Sequence, residues 1–401
     1  MQHFEIAVVG AGLAGSLAAL AFAEQGRSVA LVAPAAGRPD GRTTALMDQS
    51  LDLLRELGLW EATAPLAAPL ASMRIIDGTD RLLRAPTVTF HAAEVGLEAF
   101  GYNIPNAPFL DLLDREAEKR PTLTRVVASL SQLDVEGERA RLVLDNGETV
   151  TADLVVGADG RKSGVREAAG IGVRNWSYPQ AAIVLNFSHQ RPHQNISTEF
   201  HTAHGPFTQV PLPGGLRSSL VWVQSPDEAQ AMLALSPEAL SLAVEQRMQS
   251  MLGKVTVDTT PQSFPLSGMA AKYFGKGRTI LIGEAAHAFP PIGAQGLNLS
   301  LRDIGSALSL LGTSAIASDI GARYDARRRA DVFTRTLGVD LLNRSLLSNF
   351  LPVQMLRAAG LQALASVSPL RNLMMHEGIH PGSALAALRH SLREKIGRQR
   401  A

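Results

Sequence analysis

Gly10, Gly12 and Gly15 stand between an apolar run, FEIAVVG, and a longer apolar stretch, SLAALAFAEQG, and no other feature constrains the chain so tightly. The spacing is G-x-G-x-x-G at the passage from a predicted strand to a predicted helix, with Leu13 and Ala14 inside the motif. The first glycine permits a tight turn, the second lets a pyrophosphate approach the backbone, and the third lets the helix pack closely on the strand. With RSVALVA following, residues 4–33 read strand–turn–helix–strand, the opening of an α/β nucleotide domain. One part of the pattern is missing. An acid is expected at the end of the second strand to bind a ribose, and Ala33 followed by Pro34 stands there. Backbone, water, or a nearby arginine such as Arg38 or Arg42 must serve instead.

Two later stretches are built for the same kind of ligand. In ADLVVGADGRKSGVR (152–166) an apolar strand ends at Asp159 and Gly160, and strand ends of an open α/β sheet are where polar side chains meet ligand. Asp159 could equally cap the helix that follows. In GKGRTILIGEAAHAFPPIGAQGLNLSLRD, from residue 275, a short strand meets Gly283 and Glu284. A Pro/Gly-rich turn follows, and a helix begins near Leu297. The unpaired N–H groups and positive dipole at such a helix start suit a phosphate, or a ring that becomes anionic on reduction.

Composition excludes several functions. The 401 residues carry a net charge of +1, so no global basic field points to nucleic acid. There is no cysteine, which removes disulfides, thiolate metal sites, cysteine nucleophiles and iron–sulfur clusters. The apolar stretch at 6–23 has no preceding positive charge and is broken by the three glycines, so it is expected to be structure rather than a cleaved signal. No uninterrupted apolar run reaches the roughly 20 residues that span a bilayer.

Between the motifs the pattern changes. Residues 72–104 carry short alternating strands, 106–120 look helical, and 124–133 with 141–144 look like a hairpin turned at Asp145-Asn146-Gly147. Residues 180–225 read as successive β-strands, followed by two helical segments and another strand. Strands between two halves of a nucleotide domain suggest an inserted substrate-binding sheet. His189, His193, His201 and His204 fall here without metal spacing and are expected to be sheet or surface residues. Residues 341–401 hold eight Lys/Arg against Glu377 and Glu394, a net +6 on an apolar, helical end. That end suits a helical cap on the main domain or, over 385–401 especially, an anionic membrane surface or acidic partner.

The three glycine-rich motifs, in this order, resemble the three signatures of the single-component FAD-dependent aromatic hydroxylases, the para-hydroxybenzoate hydroxylase class. EVGLEAFGYNIPN, PPIGAQGLNLSLRD, YDARRR and PLRNLMMHEGI are similar to the ubiquinone-biosynthesis hydroxylases within it. The resemblance implies an α/β fold: a Rossmann-like FAD-binding domain with an inserted antiparallel β-sheet substrate domain and a C-terminal helical region. The expected boundaries are 1–71, 98–178 and 268–340 for the FAD domain, 72–97 and 179–267 for the sheet domain, and 341–401 for the helical end.

Residue by residue, the resemblance implies that Gly10, Gly12, Leu13, Ala14 and Gly15 seat the FAD pyrophosphate and that Arg42 lies near the cofactor. Asp159 and Gly160 match the motif associated with FAD and the nicotinamide donor. Gly283 and Glu284 fall where the family has Gly-Asp, and the glutamate is one methylene longer. Pro291, Gly293, Gln295, Gly296, Leu297 and Asn298 would line the isoalloxazine. His287 is expected to be structural, no residue identifies itself as catalytic, and no metal is expected. The implied reaction is hydroxylation of a phenol, expected to be polyprenylated, with NAD(P)H as co-substrate and O2. It would take place in the cytoplasm or at the inner face of the membrane, alone or in a biosynthetic complex. Another flavin oxidoreductase of soluble phenols or prenyl chains, and a non-catalytic FAD-bound subunit, are the alternatives open at this point.

Overall fold

The apolar runs at 6–9, 29–32 and 154–156 are almost completely buried, as the strands of a parallel sheet covered on both faces must be. A computed structural model describes residues 2–35, 41–79, 85–202, 204–290, 295–312 and 314–347, without the side chains of 295 and 334–347. Most of the region expected to be helical at 341–401 therefore lies outside the described residues. The chain runs β1 (Gln2–Val9), α1 (Leu13–Glu24), β2 (Val29–Ala33), β3 (Thr43–Met47), β4 (Ser72–Asp77), β5 (Thr149–Gly157), β6 (Val173–His189), β7 (Ile196–His201), β8 (Pro206–Pro211) and β9 (Arg217–Gln224). There follow α2 (Pro226–Leu233), α3 (Pro237–Arg247), β10 (Gln262–Ala271), β11 (Thr279–Leu281), α4 (Gln295–Leu311) and α5 (Ile320–Leu347), with shorter elements between.

The first sheet has β11, β5, β1, β2 and Leu123–Val127 side by side and parallel, with Ile6 in register with both Leu154 and Val29. Parallel neighbours need crossovers, and α1 is one: every residue from Gly15 to Ala23 is buried. Its sequence is apolar all round because it is covered all round. The Asp145-Asn146-Gly147 turn differs from the expected hairpin. It joins Ala140–Leu144 to β5, with Gly147 at φ +83 making the reversal.

The second sheet runs His287–Ala288, β10, β6, β9, β8, β7, β4, Val88–His91. Its pairs are antiparallel except β7 with β4, which meet in parallel because β4 comes from a remote part of the chain rather than from a hairpin. Period two divides each strand between faces. One face (Ile183, Leu185, Phe187, Phe200, Phe207, Leu220, Trp222) is buried with Ala229, Leu240 and Val244 of α2 and α3. Ser225 and Ser236 cap those helices, each accepting a backbone N–H. The other face of the sheet turns toward the nucleotide fold.

Candidate active site

The strand-to-helix turn is built by contacts that only glycine allows. Gly10 adopts φ +105, and a Cβ there would lie 2.3 Å from the Ala158 carbonyl oxygen. A Cβ on Gly15 would lie 1.9 Å from the Gly10 oxygen. Gly12 is different: a Cβ there would meet no protein atom within 4 Å. It starts α1 with no side-chain cap and no acid in the first turn, so the first N–H groups of the helix have no partner within it. An anion is the natural partner of such an end.

Strand β5 brings Asp159 and Gly160 to the same place, because the Ala158 N–H donates to the Val9 carbonyl at 2.8 Å. Asp159 Oδ2 accepts the Val165 N–H at 3.2 Å, while its buried Oδ1 has no hydrogen-bond donor among the described residues. The helix cap itself is Ser163, so Asp159 is left with one oxygen for a ligand. Gly160, at φ +80, turns the chain away. The buried Arg166 then donates to the carbonyls of Ala285 and Arg161, both at 2.9 Å, tying this loop to the next motif. Sequence reasoning missed Arg166; nothing in its spacing marks it.

Gly283, at φ +63, packs against Ala14: a Cβ on it would come within 3.2 Å of the Ala14 Cβ. Its N–H donates to Asp303 Oδ2 at 3.0 Å, and the same oxygen bonds His287 Nε2 at 2.7 Å. Asp303 Oδ1 accepts from Arg328 Nε at 2.8 Å, and Arg328 Nη1 reaches Asp331 Oδ2 at 2.6 Å. His287, Asp303 and Arg328 are all buried, and the Asp303 carboxylate is bonded to both of the others, while Arg328 Nη2 has no partner among the described residues. Tyr324 donates to the Leu281 carbonyl at 3.1 Å, and burial, then the charge of Asp303, holds its phenol well above the usual range. The expected structural role of His287 agrees with this geometry. Glu284 faces outward, with Arg161 Nε 3.9 Å away and Arg161 Nη1 donating to Ser267 Oγ at 2.7 Å.

Pro291 and Gly293 lie outside the described residues, as does the side chain of Gln295. Helix α4 begins at Gln295, and Gly296 is exposed with no atom of the described residues within 4 Å of an added Cβ. Leu297 packs partly against the main core. Asn298 spends its side-chain amide on β3: Oδ1 accepts the Met47 N–H at 2.9 Å, and Nδ2 donates to the Ala45 carbonyl at 2.8 Å. It fastens the helix start to β3 rather than offering a free amide.

Arg42, just before β3, extends over the Phe264 ring of the second sheet, 5.8 Å from its centre. Asn186 Nδ2 donates to the Gly41 carbonyl at 2.9 Å, Thr43 Oγ1 to Ser219 Oγ at 3.3 Å, and Asn103 Nδ2 to the Pro211 carbonyl at 2.8 Å. These bonds set one face of the sheet opposite β3 and the start of α4. Next to them runs a row in register, Val184–Val221–Thr208–Glu199, every member half-buried. The opposite row, Ile183–Trp222–Phe207–Phe200, is buried, so this row lies on the face that the bonds above turn toward β3. His189 and His193 are on the closed side, and their imidazoles bond Ser218 Oγ and the Leu212 carbonyl.

Residues 3–332 match the family model described as FAD binding domain. A ubiquinone hydroxylase, UbiL, of Rhodospirillum rubrum is 33% identical over 94% of this chain and 89% of its own length. The 3-demethoxyubiquinol 3-hydroxylase of Escherichia coli is 31% identical over 92% of this chain and 97% of its own. Among solved structures, p-nitrophenol 4-monooxygenase PnpA of Pseudomonas putida superposes with a TM-score of 0.78 at 19% identity, covering 96% of this chain and 99% of that one.

Proposed function

The chain belongs to the FAD-binding-domain family of flavoprotein hydroxylases, and we propose that it hydroxylates the ring of a polyprenylated phenol in ubiquinone biosynthesis, using NAD(P)H and O2. It is an FAD-dependent monooxygenase. The residues fit the cofactor: Gly12 fronts open space at an uncapped helix start, and Asp159 Oδ1 is a buried acceptor without a donor. In this proposal Gly10, Gly12, Leu13, Ala14 and Gly15 hold the pyrophosphate, with Asp159, Gly160, Arg42, Gly283 and Glu284 along the cofactor. Pro291, Gly293, Gln295, Gly296, Leu297 and Asn298 are assigned to the isoalloxazine.

Bound FAD, once reduced, supplies the activated oxygen for the ring. The chain's own part is to hold the ring, exclude water and set charge. The start of α4 directs its N–H groups at the place where negative charge gathers, and Asn298 keeps that helix registered on β3.

What favours an apolar phenol over a water-soluble one is this face of the second sheet, where Val184, Val221 and Phe264 stand half-open or exposed. No helix among the described residues is long and apolar enough to cross a membrane. In our proposal the basic end at 385–401 draws the protein from the cytoplasm to the anionic inner face of the membrane, or to a biosynthetic complex there. The test is the visible spectrum of the purified protein under nitrogen with NAD(P)H, with and without a polyprenyl phenol. Flavin bleaching that the phenol accelerates, with hydroxylated product on admitting air, is the expected result. Full activity confined to water-soluble phenols would overturn the substrate assignment.

A further inference from the structure

One pair on the open face of the second sheet has chemistry that the cofactor site leaves unused. Residues 199 and 201 are two apart on β7, so they share the face turned toward β3, whereas Thr198 and Phe200 point to the closed side. His201 Nε2 contacts Glu199 Oε1 at 2.8 Å, and Glu199 Oε2 accepts from Thr208 Oγ1 at 3.3 Å. The contact assigns the Nε2–H tautomer, because a carboxylate accepts and the ring must donate. Nδ1 then carries the lone pair, and it has no hydrogen-bond partner among the described residues. The His201 side chain is 13% exposed, enough to be reached and covered enough to be held. A carboxylate that fixes the tautomer of a histidine whose other nitrogen is free is the arrangement of a general base.

We propose that His201, oriented by Glu199, takes the proton from the hydroxyl of the phenol substrate, an assignment that rests on the phenol hydroxylase function above. The O–H bond breaks, its electron pair stays on oxygen, and the proton forms a new N–H bond at Nδ1. The imidazolium keeps its other proton on Nε2, donated to Glu199 Oε1. The phenolate is the more electron-rich ring, so the step prepares attack on an electrophilic oxygen. Among the described residues of the neighbouring strands, the only carboxylate in register with the pair is Asp77. On β8 the residues in register are Pro206 and Thr208. On β4 they are Ile75 and Asp77, whose Oδ1 accepts from Thr79 and whose Oδ2 accepts the Ala85 N–H.

The probe is 3-prenyl-4-hydroxybenzaldehyde, whose phenol and phenolate absorb at different wavelengths, titrated with pH on the FAD-loaded protein. Bound to the wild type, it is expected to ionise at lower pH than when free, since the proton passes to His201 and the imidazolium so formed favours the phenolate. His201→Gln and Glu199→Gln should return its ionisation to that of the free probe. Hydroxylation should fall by about 10²–10⁴-fold in His201→Gln. That loss should shrink as the pH nears the phenol's own ionisation, a recovery that a merely structural defect would not give. FAD content reports whether each variant folds, and Thr208→Val, which removes only the hydroxyl on Glu199, should shift the ionisation part of the way. An unchanged ionisation of the bound probe in His201→Gln would overturn the assignment while leaving the hydroxylase function intact. A wild type that binds no phenol and forms no hydroxylated product would remove both.

Discussion

Asp303, on α4, accepts the backbone N–H of Gly283 at 3.0 Å, so the chain leaving β11 hangs from a helix twenty residues further along the chain. The carboxylate is a junction. It also holds His287 and Arg328, and through Arg328 it reaches Asp331 on α5. Its position therefore sets where Gly283 meets Ala14, the contact that joins two of the three glycine-rich motifs.

Removing that junction should cost both stability and cofactor. Asp303→Ala leaves Arg328 buried without its main partner, a change that typically costs about 3–5 kcal/mol. Urea unfolding should show the loss, and fluorescence titration should show weaker FAD binding. Asp303→Asn keeps the shape and should fall between the two. A variant with wild-type stability and FAD affinity would mean that the network is ornamental.

Gly12 and Gly15 should separate binding from folding. A side chain at 15 would collide with the Gly10 carbonyl, so Gly15→Val is expected to destabilise the apoprotein and abolish FAD binding together. At 12 a side chain meets no protein atom, so Gly12→Val should melt as the wild-type apoprotein does. Its FAD affinity should drop by at least about tenfold, or 1.4 kcal/mol. Equal damage to both variants would mean that Gly12 does not border the cofactor.

The parts legible in the sequence were those encoded by neighbours. Gly10, Gly12 and Gly15 announce their turn because the three residues act within one turn of chain, and the runs 6–9, 29–32 and 154–156 announce a covered sheet by being apolar throughout. The Asp303–His287–Arg328 cluster joins residues 16 and 25 apart whose meeting depends on α5 packing back over β11 and α4, which no spacing encodes. Asn298 bonds β3 through both ends of its amide, a partner 251 and 253 residues away that its place in the glycine-rich motif does not encode. Glu199 and His201 have the i, i+2 spacing of any strand. The pair gains meaning only once one face of the sheet is known to be open. Ala33 stands where the nucleotide pattern has an acid, and its carbonyl accepts the Ala128 N–H, a partner ninety-five residues away that the sequence does not announce.

Asn298→Ala should loosen β3 from the start of α4. Two backbone groups, the Met47 N–H and the Ala45 carbonyl, lose their partner, at about 1–3 kcal/mol for each group left unsatisfied. Hydrogen exchange at Met47 should accelerate in the apoprotein, where no cofactor can mask the change. Unchanged protection would mean that another group, or water, replaces the amide at once.

Stability should also weaken on mild acidification, through the closed side of the second sheet. Burial, the largest influence on both, holds His189 and His193 below the ordinary imidazole range; in His189 the neighbouring His193 adds to it. A histidine depressed in the native state binds fewer protons than its unfolded counterpart. Its contribution is therefore complete above the unfolded value of about 6.5 and is lost as the pH falls from there toward the lower native value. Urea midpoints taken at steps from about pH 7.5 down to pH 5 should decline over that window. His193→Gln, whose amide cannot titrate, should decline less steeply even if it starts lower. A variant with the wild-type slope would place the proton uptake elsewhere, because the imidazole that must stay neutral to donate to the Leu212 carbonyl and accept from the Asn195 N–H would then not be its source.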